Sequence, residues 1–266
     1  MMKLHITRFN DRGVSEAIGF LLIFTMVIVG IGLVTLYGYP MLIEQQVNAD
    51  VKIMEKNMIV LQNDVKSLTY KTVPYKETSL KIGSGALTVY TTLSTPAVST
   101  IDITDCAGNP YGSTFKSGDL RYSSVSGGTD ISLQNGAVLK RQVAQNGSVM
   151  LAEPRWFYDA PTNTMVINLI GFNSTFIWSR TGIGTVQMAM GETNYTSWDW
   201  VAPAPSLCVV YTPDLTPEGQ DYSVAWDNYF RNSMKMTTPG PSNVYHFPTN
   251  PTRLVIKKYD VVIKSL

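Results

Sequence analysis

AIGFLLIFTMVIVGIGLVTLYGYPMLI, Ala17 to Ile43, holds no charged residue in 27 positions. A bilayer core is crossed by about 20 apolar residues in helical form, so this stretch is long enough to span one. Mean hydropathy over the whole chain is only +0.02, which predicts a single span, at about 17–43. A buried core helix is the competing reading, and the length without a charge argues against it.

The flanks set an orientation. Lys3, Arg8 and Arg12 precede the run against one acid, Asp11, and no Lys or Arg follows it until Lys52. The positive-inside rule then keeps the N-terminus in the cytoplasm and sends the C-terminal part outside. A secretory signal peptide has an apolar region of about 7–15 residues followed by a small-residue cleavage site. Here the region is longer, and Glu44-Gln45-Gln46 follows it.

Pro40 lacks a backbone donor and clashes with the preceding turn, so a kink or break is expected near Gly38-Tyr39. Beyond it, Val47, Val51, Met54, Met58, Leu61, Val65 and Leu68 recur at alternating spacings of four and three. That is a heptad stripe, with Ile53, Ile59 and Val60 widening it. Its partner is either the chain's own β-domain or another helix. The helix should stop near Thr69, because Val73 precedes a proline and avoids helical geometry.

From Leu80 the pattern changes to short alternating or β-branched runs bounded by Gly, Ser, Asn, Asp and Pro. Thirteen runs read as strands, among them Ala86–Thr91, Ala137–Gln142, Met165–Phe172, Thr185–Met190, Tyr222–Ala225 and Arg253–Leu266. Ala225–Met234 is the one downstream segment with helical spacing of its aromatics. The fold class is α+β: a long N-terminal transmembrane and heptad helix, then an all-β, sandwich-like exterior domain. The expected divisions are 1–13, a cytoplasmic leader; 14–70, the long helix; and 71–266, the β-rich domain.

Composition excludes several functions. Lys+Arg number 21 and Asp+Glu 20, a net charge of +1, so no basic domain suggests nucleic acid as a partner. Two cysteines and two histidines leave no four-ligand zinc pattern, and no metal or cofactor is expected. The chain lacks G-x-x-x-x-G-K-[ST], G-x-S-x-G and H-E-x-x-H, so no catalytic residues are assigned and an enzyme is not expected.

Other residues are candidates for modification or binding. Cys106 and Cys208 are candidates for a disulfide outside the cytoplasm; the alternative is that Cys208, in an apolar strand, is a buried thiol. Asn146, Asn173 and Asn194 begin N-x-[ST] sequons for N-glycosylation, whereas Asn250 is followed by proline. Trp198 and Trp200 would share one face of an extended strand and are candidate partner-binding aromatics. The other aromatic clusters, at Trp156–Tyr158 and at Trp226 with Tyr229 and Phe230, read better as core.

Arg12-Gly13 directly precedes Val14-Ser15-Glu16-Ala17-Ile18-Gly19-Phe20 and the apolar run. This resembles the class III signal of archaeal type IV pilin-like proteins. The resemblance implies that a prepilin-type peptidase cuts between Gly13 and Val14 on the cytoplasmic side and that the helix stays in the mature protein. Glu16 would be third after the cut; bacterial type IV pilins place theirs fifth, so their pairing of this acid with a neighbour's amine is not carried over. Ser15 and Glu16 also suit a helix start, as cap and first-turn acid.

The succession AVLKRQVAQNGSVMLAEP (137–154), MVINLIGF (165–172), TVQMAM (185–190) and WDNYF (226–230) resembles the large archaeal pilin-like membrane proteins with a β-rich exterior domain. It implies a surface location and a filament-type N-terminus. Its implied partners are the lipid bilayer, the peptidase and other pilin-like subunits, with Glu16 and Pro40 on the helix that packs. Two functions are carried forward. One is a minor, tip or initiating filament subunit. The other is a permanently anchored single-pass surface protein whose β-domain binds a glycan or protein.

Overall fold

A computed structural model describes residues 11–71, 73–92, 99–125, 128–143, 147–201, 205–213, 221–240 and 243–266, and side chains from Ser15 onward. The chain divides into two compact units between Asn48 and Ala49.

The first unit is helical. Helix α1 is Asp11–Leu33, a π-helical turn covers Val34–Gly38, and α2 is Tyr39–Lys71. The break expected at Pro40 is replaced by this wider turn. Pro40 cannot donate, and the preceding Tyr39 N–H reaches back to the Val34 carbonyl, a five-residue closure that gives the ring room without ending the helix. The helix is long and apolar enough to cross a membrane, and none of its most apolar stretch is buried. The two threonines of the apolar run are self-satisfied: Thr25 Oγ1 donates to the Leu21 carbonyl at 2.7 Å and Thr35 Oγ1 to that of Ile31 at 2.9 Å. Such internal pairing is what a medium without water requires.

The second unit is a β-domain carrying the C-terminal part of α2. Its strands are β1 Tyr75–Tyr90, β2 Thr100–Thr104, β3 Phe115–Lys116, β4 Asp119–Ser123, β5 Thr129–Gln134, β6 Ala137–Gln142 and β7 Gly147–Ala152. They continue as β8 Phe157–Asp159, β9 Thr164–Asn173, β10 Ser179–Asp199, β11 Cys208–Thr212, β12 Val244–His246 and β13 Arg253–Ser265. The large sheet has the order β7-β6-β5-β4-β1-β10-β13-β9-β8, and the small one β12-β11-β2-β3. All pairs are antiparallel except β13 with β9. The run Tyr222–Ala225, expected as a strand, turns into helix α3, Ser223–Asn228, followed by a π turn at Tyr229–Ser233. The helix lets Trp226, Tyr229 and Phe230 enter one core, where Trp156 meets all three.

The heptad stripe packs on its own domain. Val51, Met54, Met58, Leu61, Val65 and Leu68 are buried against Leu80, Ile82, Leu87, Val186, Met188, Val261 and other residues of the large sheet. Ile59 joins this core, whereas Ile53 and Val60 are exposed. Polar groups fix the helix's position along the sheet. Gln62 Nε2 donates to the carbonyls of Gly136 (2.7 Å) and Glu153 (3.0 Å), and Lys140 pairs with Glu55 at 2.7 Å. Gly83 is required in β1: its φ is +73°, and a Cβ there would lie 2.5 Å from the Asp50 carboxyl carbon.

The opposite face of the large sheet builds a second core. Met165, Ile167 and Leu169 of β9 and Leu254 and Ile256 of β13 meet the small sheet, α3 and Trp156 there. Alternation along the strands puts the neighbours of these residues on the face that α2 covers in part. Ile170 and Phe172 of β9 and Val261 and Ile263 of β13 join the α2 core. On the same face, Thr164, Val166 and Asn168 of β9 and Arg253, Val255 and Lys257 of β13 line an open cleft.

Candidate functional site

The cleft begins where α2 ends. Thr69 and Tyr70 close one side, and the uncovered half-strands form its floor, with Phe157 from β8 and Tyr195 from β10. It encloses ≈ 570 Å³, inside the range of about 300–1,000 Å³ typical of small-ligand sites. Arg155, Arg253 and Lys257 are its charged residues, and no carboxylate lines it among the described residues.

Rings hold two of these cations. The Arg155 guanidinium lies 4.7 Å from the centre of the Tyr70 ring, and Lys257 Nζ lies 6.0 Å from that of Tyr195. Neither makes an ion pair with the described residues. Arg253 differs: its Nε is 3.0 Å from Asp199. The backbone of Arg155 is fixed by Asn168, whose side-chain amide donates to its carbonyl, and Trp156 Nε1 donates to the Asn168 carbonyl at 2.8 Å. Tyr70 stands edge-on to Tyr259 at 5.6 Å. Burial, then the nearby Tyr259, push the Tyr70 hydroxyl up to about 12, so it stays a neutral donor. Burial first, and then the Arg155 charge, lower the Lys66 ammonium.

The expected site residues are distributed elsewhere. Gly13 and Val14 lie within α1, and the Val14 side chain is outside the described ones. Glu16 is exposed, as is Pro40. Cys106 and Cys208 are joined by a disulfide across 102 residues. Thr104 pairs with Cys208 across β2 and β11, which brings the turn containing Cys106 within reach. That turn is tied by Asp105, which accepts the backbone N–H groups of Ala107 and Asn109 at 2.9 Å and the Asn109 side chain at 2.6 Å. The Asn109 side-chain bond is the first cause holding the Asp105 carboxyl below its ordinary value. His246 lies across from Cys208, and the three donor atoms are within 4.8 Å of one another. With the sulfurs bonded together, only the imidazole keeps a metal-binding lone pair.

The sequons differ in access. Asn146 lies outside the described residues. Asn173 is engaged on both sides, donating to Asp260 at 2.9 Å and accepting from Thr92 at 3.0 Å. Asn194 is exposed on β10, in the half of that strand paired only with β13. Trp198 and Trp200 do fall together, but on Tyr111, at ring distances of 5.5 and 5.4 Å. Both are half-buried and contribute packing. The cleft was not among the sequence candidates. Its one sequence signal is the pair of cations Arg253 and Lys257 on a strand face whose later residues, Val261 and Ile263, are apolar.

The model of a family of unknown function, DUF7289, matches residues 12–264. No curated protein matches the chain, and no solved structure does.

Proposed function

The chain belongs to the DUF7289 family, and we propose that it is a membrane-inserted, type IV pilin-like surface protein, a minor, tip or initiating subunit rather than the bulk building block. One observation carries this reading: an apolar helix whose most apolar stretch is not buried by any of the described residues stands directly behind Arg12-Gly13-Val14-Ser15-Glu16. The helix serves first as anchor in the lipid bilayer. On assembly, neighbouring subunits would replace lipid around it. The prepilin-type peptidase is the partner that would separate the two stages. No catalytic role is assigned to the β-domain.

Intact mass and N-terminal peptide mapping of the protein from native membranes test this. A mature terminus at Val14 supports the processed-pilin reading; a terminus at Met1 or Met2 overturns it. The second reading, a permanently anchored surface protein whose β-domain binds a glycan or protein, draws on the open cleft at the end of α2. Retention in membranes with an unprocessed terminus, and absence from sheared filaments, would favour it.

A further inference from the structure

We propose that the cleft at the end of α2 binds a saccharide bearing carboxylate groups, a uronic-acid-containing glycan. The inference rests on the surface-binding reading of the β-domain and names its ligand class. Charge is the first argument. Arg155 and Lys257 face the cleft without carboxylate partners among the described residues. Tyrosine faces position them instead, and a ring consumes none of the cation's hydrogen-bond donors. The Arg155 fork therefore keeps its geometry for a planar carboxylate.

Size and surface argue for a sugar over a simple anion. A space of ≈ 570 Å³ would leave a lone sulfate or phosphate mostly surrounded by water. Phe157 and Tyr195 are 45% and 58% exposed, and their rings offer flat apolar surface against which a pyranose C–H face can lie. Thr162 and Thr164, hydrogen-bonded to each other, also line the cleft. Two free cations are too few to track a nucleic-acid backbone, which calls for a longer positive groove.

Arg253 gives the site an internal restraint. Its Asp199 partner is 64% exposed in the side chain, and the pair holds a third cation back from the ligand. Removing that carboxylate frees Arg253 to join the other two.

Calorimetric titration of the full chain in detergent with trigalacturonate tests this, with galactotriose, inorganic sulfate and an oligothymidylate as comparison probes. Saturable binding of trigalacturonate is expected, at least about tenfold tighter than galactotriose, as for loss of a charge-assisted contact. R155Q and K257Q should each weaken it by about tenfold, Tyr195→Ala should weaken it too, and D199N should strengthen it by a few-fold. D199N changes an exposed group, so a gain of affinity there does not arise from altered folding. Absence of saturable trigalacturonate binding, equal binding of galactotriose, sulfate or the oligothymidylate, or no response to R155Q, K257Q and D199N overturns the proposal. The titration is independent of where the protein resides, so it fails separately from the membrane fractionation that tests the surface-binding reading.

Discussion

The carboxylate of Asp50 accepts the backbone N–H of Ser84 at 3.0 Å, joining α2 to a bulge in β1 from 34 residues away. Lys81 adds a longer contact at 3.7 Å from an exposed position. The bulge and the carboxylate fit each other: Gly83 leaves the space that the carboxyl group fills. Asp50→Ala should destabilise the domain by about 1–3 kcal/mol through the unpaired N–H. Gly83→Ala should cost a similar amount through its positive φ and the clash. Denaturant melts of the full chain check both, and an unchanged midpoint in either would refute the lock.

The α2 stripe provides an internal comparison. Leu61 and Val60 are adjacent, one buried and one 48% exposed. Leu61→Ala should cost about 2–5 kcal/mol through the cavity it leaves, and Val60→Ala should fall within about 0.5 kcal/mol of zero. Equal effects in the same melts would mean that α2 does not rest on its own sheet.

Val27 stands in the middle of the uncovered apolar run. Val27→Asp should raise the cost of inserting the helix by about 2.5–3.5 kcal/mol. The expected result is loss of the chain from carbonate-washed membranes, while Asn48→Asp, beyond the apolar run, remains bound. Full retention of both would remove the helix as anchor.

Asp130 is buried, with Oδ2 unpartnered. Burial is the largest cause raising its carboxyl above the ordinary value of 3.8; Ser123, Arg121 and Arg141 oppose it, and Asp119 adds to it. A raised acid in the folded state means that the fold holds its proton more tightly than the unfolded chain does. The stabilisation is therefore present below 3.8 and is lost as pH rises through the folded value. D130N escapes that loss. Its melting temperature should exceed the native one at neutral pH, and the gap should close as pH falls toward 3.8. A gap that widens on acidification would reverse the assignment.

Alkylation under denaturing conditions should label neither cysteine until a reductant is added, as the Cys106–Cys208 bridge requires. Replacing both by Ser should lower stability by up to about 4–5 kcal/mol, the chain-entropy value for a loop near 100 residues. Quantitative labelling without reductant would show that the thiols are free.

Much of this architecture was legible. The apolar run is legible as long enough to span a bilayer, because 27 positions pass without a charge. Val51 to Leu68 announce a buried stripe by spacing, though spacing alone leaves open whether a sheet or a second helix receives it. Tyr222–Ala225 was misread because Tyr and Val favour strands locally, while the demand for Trp226, Tyr229 and Phe230 in one core imposed a helix. The cysteines could not be paired from their spacing; strand pairing between Thr104 and Cys208 decides it. The cleft was the least legible feature. Tyr70, Arg155 and Lys257 lie far apart in sequence, and what makes them neighbours is the place where α2 stops covering the sheet.

The position of β13 has a consequence for biosynthesis. This segment, residues 253–265, lies between β10 and β9 in the large sheet and pairs with both. The ribosome makes both neighbours long before it makes the strand that joins them. Until then β9 and the later half of β10 each present an unsatisfied edge, open to mispairing with other chains. Closure of the sheet must therefore await synthesis of residues 253–265. A nascent chain stalled before Arg253 would display those edges wherever its first helix had already placed it.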